Sequence, residues 1–316
     1  MRPYRWGQVI SLILLNLYLW GFFQRNLIYT GFLKGFMGPI LHCWSTPTTF
    51  FSCPLGSFQH FIGLHLLPLY PLGFIIIISA FIGRMPCAWV CPFGLLQDLL
   101  YKIKIFKWRL PKFINLLGII VGIVVGYLFG RNRFEYGIYS GLPLAILLGL
   151  VFNLIPGIKG IKMPMSYLKY LFLLVFAIVF VYLTTEPWFC KICPAGTLEA
   201  GIPLVLWDPD NYLKAMVGTF FYFKLIILGF LLINFIAIKR PFCRAVCPIG
   251  AIYSLTNRIS IFHLKNSKEI CTGCGVCEKF CPTALSYQEI PENSDCIRCL
   301  ECYYKCPKKA IKIKWG

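Results

Sequence analysis

Long runs of apolar residues make up most of the chain, with shorter polar and basic stretches between them. A run of about 20 apolar residues spans a bilayer as a helix. Runs of this length predict six membrane-spanning helices, at about 8–29, 61–82, 112–130, 138–156, 166–185 and 217–238. The first run continues to about Tyr29 without a small-residue cleavage site, which predicts a retained anchor and not a signal peptide.

Composition and charge agree with a polytopic membrane protein. Of the 316 residues, 58% are hydrophobic and only 14% are charged. The formal net charge of +19 is concentrated in loops at about 84–112, 159–169 and 239–258. A cytoplasmic N-terminus and six crossings place these loops and the C-terminus inside, at the inner (cytoplasmic) membrane. Because the charge forms no separate basic domain, we expect no nucleic-acid partner.

The last fifty residues are polar and rich in cysteine. Two runs of the form C-x2-C-x2-C-x3-C-P lie 25 residues apart in register. This spacing is typical of two-cluster bacterial ferredoxins, in which the fourth cysteine of each run ligates the other run's cluster. Zinc knuckles, the alternative, rarely repeat this run in register. We therefore expect two 4Fe–4S clusters on a first ferredoxin set (Cys271, Cys274, Cys277 and Cys306) and a second ferredoxin set (Cys296, Cys299, Cys302 and Cys281).

The other eight cysteines fall in the predicted membrane region. Four of them begin a Cys-Pro-x-Gly tetrapeptide, namely Cys53, Cys91, Cys193 and Cys247. Proline suits the first position of a helix, where no backbone N–H is needed. A thiolate at that end also feels the positive end of the helix dipole, which favours metal ligation. Each tetrapeptide therefore predicts a ligand held at a helix start.

These eight cysteines form an internal repeat that runs in the same direction in both halves. Counting crossings puts four at each face, and a helix of about 20 residues is about 30 Å long, so cysteines at its two ends cannot share one cluster. We predict an inner set (Cys87, Cys91, Cys243 and Cys247) and an outer set (Cys43, Cys53, Cys190 and Cys193), each holding one cluster. The basic residues Arg84, Lys239, Arg240 and Arg244 would offset the charge of the inner cluster.

Two alternatives stay open for the membrane cysteines. The outer cysteines have unequal spacings, so a disulfide at an oxidising face is the competing interpretation. If re-entrant loops change the depths, each half could instead hold its own cluster.

Several other polar residues are weaker candidates. His42, His60 and His65 lie near the outer face as candidates for haem ligation, cluster ligation or proton transfer at a quinone site, or as ordinary interface residues. Asp98 is expected to be an ion-pair partner on an amphipathic inner helix. The remaining acidic residues at the outer side are expected to be solvated loop charges: Glu135, Glu186, Glu199, Asp208 and Asp210.

The predicted fold is an all-α polytopic bundle followed by a small α+β ferredoxin-like domain that binds two clusters. Residues 1–262 form the transmembrane domain, with repeats at about 8–100 and 166–256 joined by a helical hairpin. Residues 263–316 form the cytoplasmic ferredoxin domain.

Two CxxxCP motifs followed by a double ferredoxin run resemble the NapH-type membrane polyferredoxins, with NosR and the FixG/RdxA proteins as looser relatives. The resemblance implies electron movement between the quinone pool and reductases or maturation systems. The chain departs from the plainest pattern in carrying Cys43/Cys53 and Cys190/Cys193. We expect no counterpart of the extracytoplasmic flavin domain of NosR-like members.

The predicted function is therefore electron relay between cytoplasmic ferredoxin-type clusters and the quinone pool or an extracytoplasmic redox partner. The chain would act as an electron-transfer subunit, and its sequence leaves open whether it works in a quinol dehydrogenase or another oxidoreductase. One alternative is a transmembrane thiol–disulfide relay, in which only the ferredoxin domain carries iron. Another is an iron–sulfur assembly or redox-sensing protein, which would not turn over quinols.

Overall fold

A computed structural model of the chain describes residues 3–19, 23, 28–103, 165–208, 212–215, 217–286, 289–291 and 293–315. The chain divides into two compact units, Met1–Ile105 with Lys169–Gly316, and Phe106–Leu168. The described part is mostly helical and contains one two-stranded sheet. The predicted spans 112–130 and 138–156 lie outside the described residues, as do Glu135, Asp210 and most of the basic residues between 104 and 162.

The first half contains short helices where two long spans were predicted. They are α1 (Pro3–Leu15), α2 (Pro54–Gly63), α3 (Leu69–Ile82), α4 (Met85–Trp89) and α5 (Pro92–Leu100), with a 3-10 turn at Phe32–Gly35 before α2.

The predicted span 8–29 was wrong in its extent, because α1 ends at Leu15. The Asn16 amide donates to the carbonyl of Leu12, at 2.8 Å, and accepts from the hydroxyl of Thr48 at 2.7 Å. The backbone N–H of Tyr18 then donates to the carbonyl of Thr48 at 3.0 Å. These bonds tie the chain to the loop before α2, so the helix does not continue.

The predicted span 61–82 is divided between α2 and α3. His65, between the two helices, has a positive φ of 56°. Pro68 immediately precedes α3, and it disfavours helical backbone at the residue before it. The apolar run therefore continues through a break that hydropathy alone does not reveal.

Among the described residues, two helices are long and apolar enough to cross a membrane, and both lie in the second half. Ser166–Thr184 and Thr219–Ala237 each have 19 residues, and they match the predicted spans 166–185 and 217–238. The remaining four predicted spans are not confirmed. The helices of this half are α6 (Met165–Phe172, continuing through a π-helical stretch, Leu173–Val179, into Phe180–Thr184), α7 (Trp188–Ile192), α8 (Pro194–Gly196, π-helical Thr197–Gly201 and Ile202–Leu206), α9 (Tyr212–Ala215), α10 (Thr219–Ala237), α11 (Pro241–Ala245) and α12 (Pro248–Thr256).

The two halves pack crosswise on one another. Helix α5 of the first half packs on α10 of the second, and α12 of the second half packs on α3 of the first. The ring of Phe93 in α5 lies 5.6 Å from that of Phe235 in α10 and 5.0 Å from that of Phe242 in α11, between ring centroids. Edge-to-face aromatic contacts of this kind add to the burial energy. The short helices that follow the cysteines are thus held by the opposite half.

The C-terminal segment folds around its own cysteines and against α4. Strand β1 (Phe262–Asn266) pairs antiparallel with β2 (Ile311–Trp315), and the short helices α13 (Val276–Phe280) and α14 (Glu301–Lys305) pack together. The buried core includes Phe262, Leu264, Cys296 and Cys302, with Met85 and Trp89 packed against it. The domain boundary between residues 262 and 263 stays a prediction.

Candidate metal centres

Each Cys-Pro-x-Gly cysteine directly precedes a helix, as the sequence predicts. The helices begin at Pro54, Pro92, Pro194 and Pro248, and the preceding cysteines have extended backbone. At two of the four, the cysteine Sγ accepts the N–H of the glycine three residues later, at 3.5 Å for Cys193 and 3.4 Å for Cys247. The local sequence therefore aims each thiol at the start of its own helix, where backbone N–H groups lack helical partners.

The structure brings the four cysteines of the inner set together. Each lies within electrostatic range of the other three. Three of them are buried, and Cys87 is half-buried. The two CxxxCP motifs, 156 residues apart in the chain, thus meet at one place because α5 and α12 each pack on the opposite half.

Two fully buried arginines cross between the halves beside the inner set. Arg84, three residues before Cys87, donates to the carbonyl of Cys243 at 3.4 Å. Arg240, three residues before Cys243, donates to the carbonyl of Cys87 at 3.1 Å. Their side chains are 1% and 0% exposed, so each guanidinium places a positive charge inside the site without water to screen it.

Each of these arginines has a buried carboxylate partner. Asp98 pairs with Arg240 through two bonds of 2.8 and 2.7 Å and also accepts from the Tyr4 hydroxyl at 2.9 Å. This confirms the predicted ion-pair role of Asp98. Burial alone would raise the pKa of Asp98, but the charge of Arg240 outweighs burial and lowers it.

The partner of Arg84 comes from the C-terminal segment. Asp295 accepts from Arg84 Nη1 at 2.6 Å and also from Lys169 and Ser254. Burial would raise the pKa of this carboxyl, and the two cations lower it. The inner set is therefore surrounded by paired buried charges drawn from three parts of the chain.

The outer set is also assembled from both halves. Each of its four cysteines lies within electrostatic range of the other three. Glycines provide the space, since a Cβ on Gly196 would lie 3.5 Å from Cys43 Sγ and one on Gly56 would lie 4.0 Å from Cys190 Sγ. The glycines of these two tetrapeptides thus each face a cysteine of the opposite half.

The inner and outer sets lie beside different turns of α10. Lys224 is within electrostatic range of three outer cysteines. Phe235, eleven residues further on, packs against Phe93 of the inner set's helix α5. Eleven residues of α-helix measure about 16 Å, which is the spacing of these two contacts along α10.

The fourth cysteine of each ferredoxin run lies near the first three cysteines of the other run. Cys281 lies within electrostatic range of Cys296, Cys299 and Cys302, the first three cysteines of the other run. A cavity is lined by Cys306 together with Cys271, Cys274 and Cys277. Gly273 and Gly275, with φ of 67° and 68°, let the backbone turn around that cavity.

The second ferredoxin set stands between the first set and the inner set. Cys302 lies within electrostatic range of Cys277. On the other side, Cys299 belongs to a buried cluster that also contains Ala88 and has Cys87 packed against it. The Trp89 indole donates to the carbonyl of Arg298 at 3.2 Å, which fixes α4 to this segment.

Within the part of the chain that the structure describes, no three histidine, cysteine or acidic side chains are close enough to hold a single metal ion. The four thiolates of a 4Fe–4S cluster lie further apart than the ligands of a single metal ion, because each binds a different iron atom.

The prediction of a solvated loop charge was wrong for two acidic residues, because both are buried and hydrogen-bonded. Glu199 accepts the backbone N–H of Cys43 at 3.1 Å, and burial raises the pKa of Glu199 to about 7. Asp208 is 7% exposed and accepts the N–H groups of Leu213 and Lys214 at the start of α9. Glu186 is half-exposed and pairs with Lys191, as expected of a surface charge.

The predicted histidines and basic residues differ in how deeply they are buried. His42 is buried and bonded to the carbonyls of Phe51 and Ile40. His60 and His65 are exposed, and their rings stack edge-on against Phe61 and Tyr182. Of the four basic residues predicted beside the inner set, Arg84 and Arg240 are fully buried. Arg244 is half-buried, and Lys239 donates to the carbonyl of Lys279.

Four residues of these sites escaped the sequence argument: Gln59, Gln97, Lys169 and Asp295. The two glutamines stand six residues after Cys53 and Cys91, so extending the alignment of the tetrapeptides by three positions would have revealed them. The contact of Asp295 with Arg84 joins residues 211 apart and has no local signal.

Comparison with known proteins places the cysteine pattern in a family. Residues 64–113, 170–202 and 220–267 match the model of a 4Fe-4S binding domain. The uncharacterized protein MJ0749 of Methanocaldococcus jannaschii is 28% identical over 98% of this chain and 91% of its own length. An electron transport protein of Escherichia coli, YccM, is 25% identical over 54% of this chain and 61% of its own. The ferredoxin-type protein NapH of Haemophilus influenzae is 26% identical over 35% of this chain and 44% of its own. The chain is thus similar to the NapH-type polyferredoxins. No solved structure matches it.

A NapH-type polyferredoxin binds 4Fe–4S clusters, and the donor sets of this chain fit them. Each of the four sets offers four thiols, and the inner set adds buried arginines against the negative charge of a thiolate-ligated cluster. Neither the fold nor the similarities support a bound quinone.

Proposed function

We propose that this polyferredoxin conducts electrons across the membrane, between a cytoplasmic redox partner and an extracytoplasmic acceptor or donor. The observation that carries the proposal is the order of the four cysteine sets. They follow one another from the exposed Cys274, through the second ferredoxin set and the inner set, to the outer set. The names of the relatives YccM and NapH, an electron transport protein and a ferredoxin-type protein, support the same function.

The proposed ligands are the four sets as the structure groups them, one cluster to each. A bound 4Fe–4S cluster supplies one-electron redox chemistry. The chain's own contribution is to fix the positions of the thiols, to exclude water around the inner set and to place Arg84 and Arg240 near it. Buried fixed charges act strongly there because the surroundings screen them little.

The surface beside the first ferredoxin set favours an acidic partner. Lys308 lines the cavity that contains Cys274, and Lys309 follows it on the exposed surface. On the neighbouring sheet, exposed Lys265 and Lys312 stand directly opposite each other. Like charges in such a cross-strand pair destabilise the free protein, and an acidic redox protein would neutralise them.

Iron and acid-labile sulfide, measured per chain on anaerobically purified protein, test the proposal. Wild type should hold about sixteen irons, and the double variant Cys87→Ala/Cys243→Ala should hold about twelve. The matched outer variant, Cys43→Ala/Cys190→Ala, should also hold about twelve, with a different electron paramagnetic resonance signal lost. About eight irons in all three proteins would refute the membrane clusters and favour a thiol–disulfide relay.

A further inference from the structure

The helices that follow the first-half tetrapeptides carry a buried glutamine at the same position. Gln59 in α2 and Gln97 in α5 each stand six residues after the Cys-Pro cysteine of their helix, in the pattern C-P-x-G-x-x-Q. Both side chains are 0% exposed. Burying a primary amide in an apolar environment costs free energy unless it is hydrogen-bonded, so these positions are unfavourable without a compensating role.

Both amides donate to a cysteine sulfur of the opposite half. Gln59 Nε2 lies 3.3 Å from Cys190 Sγ, and Gln97 Nε2 lies 3.1 Å from Cys243 Sγ. In each case the recipient is the first cysteine of the second-half pair. The outer and inner sets therefore each receive one side-chain amide donor from the first half.

Neighbouring bonds fix which end of each amide faces the sulfur. The Oε1 atom of Gln59 accepts the N–H of Phe189 at 3.1 Å, so the NH2 group must be the end that meets Cys190. Gln97 Nε2 also donates to the carbonyl of Phe93, at 3.3 Å, which only the NH2 end can do. The donor role of both side chains follows from these contacts.

The equivalent residues of the second half form hydrogen bonds to other partners. Glu199, six residues after Cys193, accepts a backbone N–H from Cys43. Tyr253, six residues after Cys247, donates to the carbonyl of Pro39 at 2.9 Å. The amide–sulfur bond is therefore a property of the first half and not of the repeat as a whole.

We propose that Gln59 and Gln97 set the reduction potentials of the clusters held by the outer and inner sets, respectively. The inference rests on the proposed function. A reduced cluster carries one more negative charge than the oxidised cluster, so its thiolates accept hydrogen bonds more strongly. An amide donor therefore favours the reduced form, and its removal lowers the potential. These are positioning residues, since they act through a ligand sulfur.

Redox titration followed by electron paramagnetic resonance tests this, with Gln59→Met and Gln97→Met. Methionine has a similar length and no N–H donor. At a fixed ambient potential we expect each variant to lower the reduced-to-oxidised ratio of its own cluster about threefold to tenfold, a fall of about 28 to 59 mV at 59 mV per tenfold for one electron. Each variant is the control for the other, because Gln59→Met should leave the inner signal unchanged and Gln97→Met the outer one.

Iron content distinguishes a failure of the proposed function from a failure of the glutamine hypothesis. Wild type with about eight irons would refute the proposed function itself. Variants with wild-type iron and unchanged potentials would refute the role of the glutamines alone. If a methionine variant loses iron, Gln97→Leu or Gln59→Leu replaces it. Leucine also lacks a donor and cannot ionise, so an unchanged or raised potential in that variant overturns the proposal.

Discussion

Replacing Asp295 with asparagine should strongly destabilise the protein. The carboxylate joins Arg84 and Lys169, whose side chains are 1% and 0% exposed, while Asp295 itself is 7% exposed. Asparagine keeps the size of the side chain and removes the charge, which leaves two buried cations without their counter-ion. Breaking a buried pair in this way costs about 3–5 kcal/mol.

Thermal unfolding in detergent measures the effect. At about 2.1 cal/mol/K of unfolding entropy per residue, about 1 kcal/mol changes the unfolding temperature of a chain of 316 residues by about 1.5 °C, so Asp295→Asn should lower it by about 5–8 °C. Scans of all variants need one heating rate, because membrane proteins often unfold irreversibly.

A matched control makes the same chemical change at the surface. Glu186 pairs with Lys191, but the two side chains are 51% and 33% exposed. Glu186→Gln should therefore cost about 0–1 kcal/mol, since water and salt screen the pair. Equal unfolding temperatures for Asp295→Asn and Glu186→Gln, at equal iron content, would show that Arg84 and Lys169 are not held by a buried carboxylate.

The other predictions concern close packing and pH. In Gly94→Ala the new Cβ would lie 3.3 Å from the carbonyl of Cys87 and 3.4 Å from Arg240 Nη1, so we expect a loss of about 1–3 kcal/mol in thermal unfolding. The control is Gly73→Ala in α3, where the new Cβ would meet no atom within 4 Å outside its own helical turn, so this variant should be neutral or stabilising. Equal effects of the two variants would contradict this packing. Arg240 lowers the pKa of Asp98 in the folded protein. The ion pair therefore contributes its full stabilisation free energy above about pH 3.9, the pKa of an aspartate in the unfolded chain. That stabilisation is lost only as the pH falls through the lower pKa of folded Asp98. The difference in unfolding temperature between wild type and Asp98→Asn should therefore stay constant from pH 8 to pH 5, and a difference that changes within this window would refute the ion pair.

What could be read from the sequence was local chemistry. Proline after cysteine predicts a helix start, and Pro92 and Pro248 begin helices. The exchange of Cys281 and Cys306 between the ferredoxin runs also follows from spacing, because each run is one short turn followed by a helix. These predictions depend on a few neighbouring residues, so tertiary packing had little power to change them.

The features that could not be predicted from the sequence depend on bonds between distant segments. Hydropathy predicted a span over 8–29, but Asn16 and Thr48 end the helix through side-chain bonds that hydropathy does not score. The pairing of Arg84 with Asp295 is similarly invisible, because any acidic residue of the chain was an equal candidate before folding. The buried glutamines are an intermediate case, since their repeat position is visible although their sulfur partners are not.

The pairing of Arg84 with Asp295 has a consequence for how the protein is made. Ribosomes add about 5–20 residues per second, so the 211 residues between the two partners take about 10–40 s to synthesise. During that interval Arg84, joined by Lys169 after 85 further residues, is in the nascent chain without the carboxylate that compensates both. A chain that stops short of Asp295 keeps two uncompensated cations and cannot reach its final packing. We therefore expect products truncated before Asp295 to be recognised and degraded, so that only chains extending past this residue persist in the cell.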